Sequence, residues 1–575
     1  MLGTEHPLQV YVAAPLMHHP TMLGLIATAL AGSALAVPYH DDSDGHLAPL
    51  ITPTAPPVGG PLSHLSVQTG RSPSDYLIKD NYLVVFKKGT RQHQSNHHKE
   101  KVHNLWKQDQ QLRLQSNSYG PADLFSGIKH HYDIGVDHFK GYSIHVPEAL
   151  VSIIRSFPEV AYVERDSTVW INDHYGNPTT IPVAENPSET ISEQVDVEYG
   201  APWGLARISH RHKLKFSTFN VYPFEDPAGL GVDAYVIDTG VNIEHEELEG
   251  RAKWGKTIPD DLDEDLNGHG SHVAGTIASK TYGVAKNATI IAVKVLGAGG
   301  SGSMSDVVAG VVWAAEAAAT KARDEAAKKD SKHKGSVANM SLGGGNSPSL
   351  DQAVNAYTNR LIPHDSAVDT GLHFAVAAGN DNRDACTFSP AAAKNPITVG
   401  ASTIQDERAY FSNHGKCVDI FAPGLNIKSI WNTGKKSVNT ISGTSMASPH
   451  IAGLAAYFLS IYPEKLDLAS LGVYDDEHEE FVASNGQAYD LGQYFSWNSV
   501  QSQGQLAFGK FKEAVGYGGP GRSNDGVQPL STRMLKKAMI KMSTSGVLSV
   551  SFSCFFLKLP GHTCNYLAYN NATLS

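Results

Sequence analysis

Three short stretches carry side chains that together could run nucleophilic acyl transfer. In Gly443-Thr444-Ser445-Met446-Ala447-Ser448-Pro449-His450 a small polar turn presents Ser445 just before 451–459, an apolar segment of helical length. A helix with no charge on any side must be buried. Its N-terminus would aim unpaired N–H groups and the positive dipole end at whatever reacts at Ser445. A serine hydroxyl is a weak nucleophile until a base takes its proton and a third group orients that base. Both partners exist. His269 lies in Asp265-Leu266-Asn267-Gly268-His269-Gly270-Ser271-His272, with a glycine on each side that lets backbone approach the ring, and a helix is predicted to follow. Asp238 ends the apolar run Ala234-Tyr235-Val236-Ile237, which reads as a buried strand. A carboxylate there is placed to hold an imidazole in one tautomer.

Taken singly, these residues have plainer roles: Asp238 as a strand-ending turn residue, His269 as a loop histidine, Ser445 as an N-cap. Taken jointly, in the order Asp, His, Ser and each in its own motif, they resemble the subtilisin-like serine peptidase family. The likeness is to the proteinase K branch and, within it, to fungal vacuolar proteases of the cerevisin type. It is also carried by Ser341-Leu342-Gly343-Gly344, by Ala377-Ala378-Gly379-Asn380, and by Ala201-Pro202-Trp203-Gly204-Leu205-Ala206-Arg207-Ile208-Ser209, which resembles a mature enzyme's start. The match runs from about Asp80 to about Tyr462 and resumes in short pieces near the C-terminus.

The resemblance implies a broad-specificity serine endopeptidase made as an autoinhibited zymogen, with Ser445 as nucleophile, His269 as base and Asp238 as its orienting acid. Asn380 and the Ser445 N–H would stabilise the oxyanion. Gly299, Gly300, Ser301 and Gly302 on one side, and Ser341, Leu342 and Gly343 on the other, would clamp an extended peptide as an added antiparallel strand. Cys386 and Cys417 occupy positions of a disulfide in some relatives; two free buried thiols are the alternative. No cofactor is required. A structural Ca²⁺ is implied at Asp419 with the carbonyls of Lys394 and Pro396, and the run Asp260-Asp261-Leu262-Asp263-Glu264-Asp265 either attracts cations or is a solvated acidic loop. The opposing functional reading is a non-enzymatic relative whose propeptide region serves as inhibitor or folding module.

A chain of 575 residues exceeds one core, so at least two domains are expected. A formal charge of −11 without any basic stripe argues against a nucleic-acid partner. No apolar run beyond the N-terminus is long enough to span a bilayer, and a soluble monomer acting on proteins and peptides is expected. Apolar strands alternating with helical stretches predict an α/β domain, a doubly wound parallel sheet with helices on both faces, over 201–470. Its central strands are predicted at 232–237, 290–295, 336–341 and 372–377, with an Ala-rich helix over 304–327.

Upstream, 1–36 reads as a signal peptide with an Ala-x-Ala exit at Ala36, although no Lys or Arg precedes its apolar stretch. Residues 37–80 read as a linker. A small α+β unit follows over 81–172, with strands at 82–86, 139–146 and 160–166, a His-rich helical stretch and a helix over 148–157; it resembles the family's inhibitor propeptide. Its many histidines (His93, His97, His98, His103, His130, His131, His138 and His145) are either a solvated face or a set that loosens the inhibitor on acidification. A processing linker is expected over 173–200, and the resemblance places the product in the secretory pathway, in the vacuole or secreted, with the vacuole favoured. Asn287 and Asn571 head glycosylation sequons; Asn339 matches too but falls in a predicted buried strand. Three stretches, 357–366, 472–528 and 549–558, read as insertions relative to the family, as surface loops or translated intron; the last two fall in a C-terminal extension over 471–575.

Overall fold

The computed structural model describes residues 47–54, 76–115, 124–134, 139–171, 195–357, 371–473, 530–548 and 566–570, with the backbone of two short paired strands, Glu480–Val482 and Ala488–Asp490. The expected signal peptide, most of the processing linker, His138, Asn571, the stretch 549–558 and nearly all of the other two insertions lie outside these residues.

The larger domain is built on a sheet whose strands run in the order Ala252–Thr257, Thr289–Lys294, Val232–Asp238, Gly335–Met340, His373–Ala377, Ile397–Ser402, Ile420–Pro423, Tyr566–Leu567 and Thr544–Ser545. Every pairing is parallel except the last, at the edge. The predicted strands are thus present within a residue or so. Side-chain alternation explains why helices cover both faces. Along Val232–Asp238, Ala234 and Val236 enter one apolar core with the helices His269–Ala278 and Thr444–Ile461. Tyr235 and Ile237 enter the other, with the helices Met304–Ala326 and Pro348–Tyr357.

The smaller unit is an α+β fold. Leu77–Phe86, Gly127–Asp133, Lys140–His145 and Val160–Ile171 form its antiparallel strands, with helices Gln92–Gln115 and Glu148–Arg155. Gly127–Asp133 is not among the expected strands, because Lys129, His130 and His131 interrupt the apolar pattern of Ile128 and Tyr132. Residues 50–51, inside the expected linker, instead add a short strand pairing in parallel with Val163 and Glu164. Tyr82, Val84 and Phe86 pack beneath the unit's own helices, whereas Leu83 and Val85 face the Met304–Ala326 and Pro348–Tyr357 helices of the larger domain. Half of this unit's sheet therefore buries itself only by docking. Among the described residues no helix is long and apolar enough to cross a membrane.

Candidate active site

Asp238 sits at the C-terminal end of a central strand, where a parallel sheet opens its crevice. One of its carboxylate oxygens accepts from the Thr239 N–H at 2.7 Å and from His269 Nδ1 at 2.8 Å. The proton on that imidazole therefore sits at Nδ1, which leaves Nε2 as the basic nitrogen. Both side chains are buried.

His269 opens its helix, and Asp265 prepares that opening. One Asp265 oxygen accepts from the Thr239 hydroxyl and from the N–H groups of Asn267 and Gly268. The other accepts from the N–H and hydroxyl of Ser271 at 3.0 and 2.6 Å. Asp265 thus caps the histidine helix and ties it to the Asp238 strand, a role the reading of an acidic loop missed. An Asp a few residues ahead of an apolar-periodic run was the available signal. The glycines beside His269 act as expected. A Cβ on Gly270 would lie 2.0 Å from the Gly240 carbonyl, and Gly268, at φ +107°, is packed against the Trp431 ring.

The serine helix begins earlier than the turn chemistry indicated, at Thr444 instead of Ile451, so Ser445 lies in its first turn and Pro449 inside it. All eighteen residues of this helix are buried, as its uncharged surface requires. Pro449 has no N–H to give the Ser445 carbonyl. The Ser341 hydroxyl supplies the missing bond at 2.8 Å, and the Ser445 hydroxyl in turn donates to the Ser341 carbonyl at 3.0 Å. Beside them, Asn380 Oδ1 accepts from the N–H and hydroxyl of Thr444, both at 2.9 Å, and the Thr444 oxygen accepts from Gly379 N–H. The Asn380 carbonyl end is thereby fixed, which turns its amino end, the donor, to the other side. Thr444 is a second residue that motif reading passed over.

The two expected edge segments hold a strand. Ser301–Ser303 pairs antiparallel with Val160–Ile171 in the register Ser301↔Trp170, Gly302↔Val169 and Ser303↔Thr168. On the opposite side Leu342↔Ile171 and Gly343↔Trp170 are antiparallel partners, and the Ile171 N–H donates to the Gly300 carbonyl at 3.0 Å. Gly299 is exposed and Ser341 is engaged with Ser445, so neither joins this pairing. Two carboxylates two positions apart on the inserted strand finish the docking. Asp166 accepts from the N–H and hydroxyl of Ser305 at the start of the Met304–Ala326 helix. Glu164 accepts from the hydroxyls of Ser347 and Ser349 and from the Ser349 N–H at the start of the Pro348–Tyr357 helix. Each is a cap donated across the domain boundary to a helix N-terminus. Burial, outweighing those bonds, raises both carboxyls, that of Asp166 to about 6.

Comparison with known proteins agrees with this geometry. Residues 231–476 match the subtilase family, and residues 81–172 match the peptidase inhibitor I9 family. Alkaline protease 2 of Aspergillus fumigatus is 50% identical over 423 residues, covering 73% of this chain and 79% of that protein. The chain belongs to the subtilase family. A subtilisin-like protease of Coccidioides posadasii is 53% identical over 397 residues, covering 68% of this chain and 73% of its own. A crystal structure of a cold adapted subtilisin-like serine proteinase matches at 34% identity with a TM-score of 0.44, covering 65% of this chain and all of that one. The protein is a serine endopeptidase of zymogen type, with an I9 propeptide ahead of its α/β catalytic domain.

Outside the cleft, this subtilase has Cys386 and Cys417 joined in a disulfide. Asn287 is exposed, while Asn339 is buried and bonded to Ser341 and Ser448. The implied calcium site needs correction. Lys536, on the helix Thr532–Met542, reaches the carbonyls of Lys394 and Pro396 at 3.2 and 2.7 Å and the Asp419 carboxylate at 2.8 Å. An ammonium group stands where the metal would, so these oxygens do not fit a Ca²⁺ ion. The acidic run resolves the same way. Asp261 faces the Lys294 ammonium at 3.2 Å, and Lys294 also donates to the carbonyls of Thr239 and Glu264, both at 3.0 Å. Among the described residues, no three His, Cys, Asp or Glu side chains are grouped to hold a metal.

Proposed function

We propose that this subtilase cuts extended peptides with Ser445, His269 and Asp238 as its catalytic residues. Ser445 Oγ attacks the carbonyl carbon of the scissile bond as His269 Nε2 takes the hydroxyl proton. The C–N bond then breaks, the proton passes to the leaving amine, and the acyl group stays on Ser445 as an ester. Water, deprotonated by the same nitrogen, attacks that ester; the acid leaves and the proton returns to serine. Asp238 holds the imidazole and stabilises its cationic form. The Asn380 amino group and the Ser445 N–H receive the oxyanion, a contribution of about 10²–10³ in kcat where the equivalent asparagine of subtilisin is removed. Recognition through main-chain bonds along Ser301–Gly302 and Leu342–Gly343 tolerates many sequences, so specificity is broad.

The observation that carries this reading is the Val160–Ile171 strand seated antiparallel between both edges, as a substrate would be. The reading needs no second copy, since the groups assigned to the site all belong to this chain. The enzyme travels the secretory route, where its disulfide forms, to an acidic vacuole. Self-processing falls within 172–195. Support for this placement is that the next residues, Asp196–Tyr199, are already paired with Val221–Phe224.

The test is expression of the full chain and of Ser445→Ala. The parent should lose its propeptide by cleavage within 172–195 and react with a serine-directed phosphonate, whereas Ser445→Ala should stay uncut and unlabelled. Cleavage of Ser445→Ala by itself, or a parent that neither matures nor labels, refutes the assignment.

A further inference from the structure

We propose that Lys536 is the structural cation of this protease, doing beside Asp419 what a bound metal ion would otherwise do, so that the fold is indifferent to calcium there. The ammonium has three N–H bonds and meets three oxygens: the Lys394 carbonyl, the Pro396 carbonyl and an Asp419 carboxylate oxygen. Two neutral carbonyls and one anion converging on a point make a hard-oxygen cation site by chemistry. Ca²⁺ asks for six to eight such oxygens at about 2.3–2.6 Å. It cannot join an ammonium already within about 3 Å of the same ligands without strong like-charge repulsion.

The clamp spans segments far apart in sequence. Lys394 and Pro396 lead into the strand Ile397–Ser402, and Asp419 precedes its neighbour Ile420–Pro423. The Asp419 oxygen facing Lys536 also accepts from the Thr398 N–H at 2.8 Å. Lys536 therefore pins the C-terminal helix across the starts of two adjacent strands. The next strand in that sheet, His373–Ala377, leads directly to Asn380. Lys294 repeats the arrangement independently, with two main-chain carbonyls and Asp261, beside the loop that presents His269. At both places where the sequence would draw a cation, a lysine of the chain already serves. A tethered ammonium is not lost to dilution or to a chelator, as a bound ion is.

The experiment reads thermal unfolding of the full chain carrying Ser445→Ala, which prevents self-digestion, in millimolar CaCl₂ and in EDTA. Since it scores unfolding and not hydrolysis, its outcome is separate from that of the catalytic assignment. The relevant quantity is the part of any calcium-induced Tm shift that a further Asp419→Asn abolishes. For the parent this part should be zero. Lys536→Ala should lower Tm in EDTA by about 5–10 °C and gain an Asp419-dependent recovery in calcium. An Asp419-dependent calcium shift in the parent overturns the proposal, as does a Lys536→Ala variant with the parental Tm or with no recovery. Should Lys536→Ala fail to fold, the parent with and without Asp419→Asn still decides.

Discussion

The propeptide is held by caps that it lends to the enzyme, and Glu164 offers the sharpest way to measure them. Its buried carboxylate receives two hydroxyls and one backbone N–H from Ser347 and Ser349, both themselves buried. In Glu164→Ala the hydroxyls can rotate to other acceptors, but the Ser349 N–H cannot. An orphaned buried donor costs about 1–3 kcal/mol, and charge-assisted bonds add about as much. Against this stands the desolvation of the carboxylate, which is no longer incurred and which the raised Glu164 carboxyl shows to be substantial. The net loss is about 2–4 kcal/mol, so docking should weaken about 30- to 1,000-fold. Glu164→Gln keeps one acceptor for the N–H and should cost only about tenfold. The assay is the lag before the self-processed complex reaches steady hydrolysis of labelled casein, which reports release of the propeptide. Glu148→Gln, which removes the largely exposed partner of Arg165, is the control and should leave the lag unchanged. A lag within twofold of the parent for Glu164→Ala, at equal yield of mature enzyme, would refute the reasoning.

Three more outcomes are expected. Thr444→Val keeps the shape beside Asn380 but removes a bond to its Oδ1, so kcat on a peptide anilide should fall about tenfold with KM little changed; an equal loss in KM would place Thr444 in binding instead. Replacing both Cys386 and Cys417 by Ser opens a loop of 31 residues, worth about 3–4 kcal/mol, and should lower Tm by about 10 °C in calorimetry under non-reducing conditions. Docking should respond to pH in two opposed ways. Asp166 is raised from 3.8 to about 6, chiefly by burial, so its contribution is full below pH 3.8 and lost as pH rises through about 6. Burial holds the His98 imidazole below its ordinary 6.5 despite the opposing pull of Glu159; its partners Glu159 and Tyr142 lie in the propeptide itself, so its contribution, to that unit's own fold and through it to docking, is present above pH 6.5 and is lost as pH falls. On raising the pH, the midpoint for dissociation of the processed complex should therefore move up in Asp166→Asn, and on lowering it the acid midpoint should move down in His98→Phe; both midpoints unmoved would remove these groups from the switch.

What could be read in advance was whatever the chain encodes locally. The strand ending at Asp238 declares itself by apolar residues on both faces, and the His269 and Ser445 stretches by small residues around a reactive one. The start of the Ser445 helix differs from the expected one because the small polar run 443–450 reads as a turn, whereas the Ser341 hydroxyl, distant in sequence, takes up the bond that Pro449 cannot make. Lys536 was invisible for a different reason. Its three oxygens lie about 120 to 140 residues away in the chain, and nothing in the surrounding lysines distinguishes it from a solvated neighbour. Glu164 and Asp166 likewise look like ordinary polar positions on a strand until the helices that they cap, in another domain, are brought against them. Local pattern names the elements, while partnerships across domains emerge only when the chain has folded.

The path of the chain between Val473 and Leu530 has an engineering corollary. Both residues are buried in the same apolar cluster, and the Lys541 ammonium ties the C-terminal helix back to the carbonyls of Leu471 and Gly472. The described residues on either side of this stretch thus belong to one packed body and are bonded to each other through Lys541. Shortening the stretch between Val473 and Leu530 would remove none of the described residues of that cluster, which makes it the place to trim the enzyme.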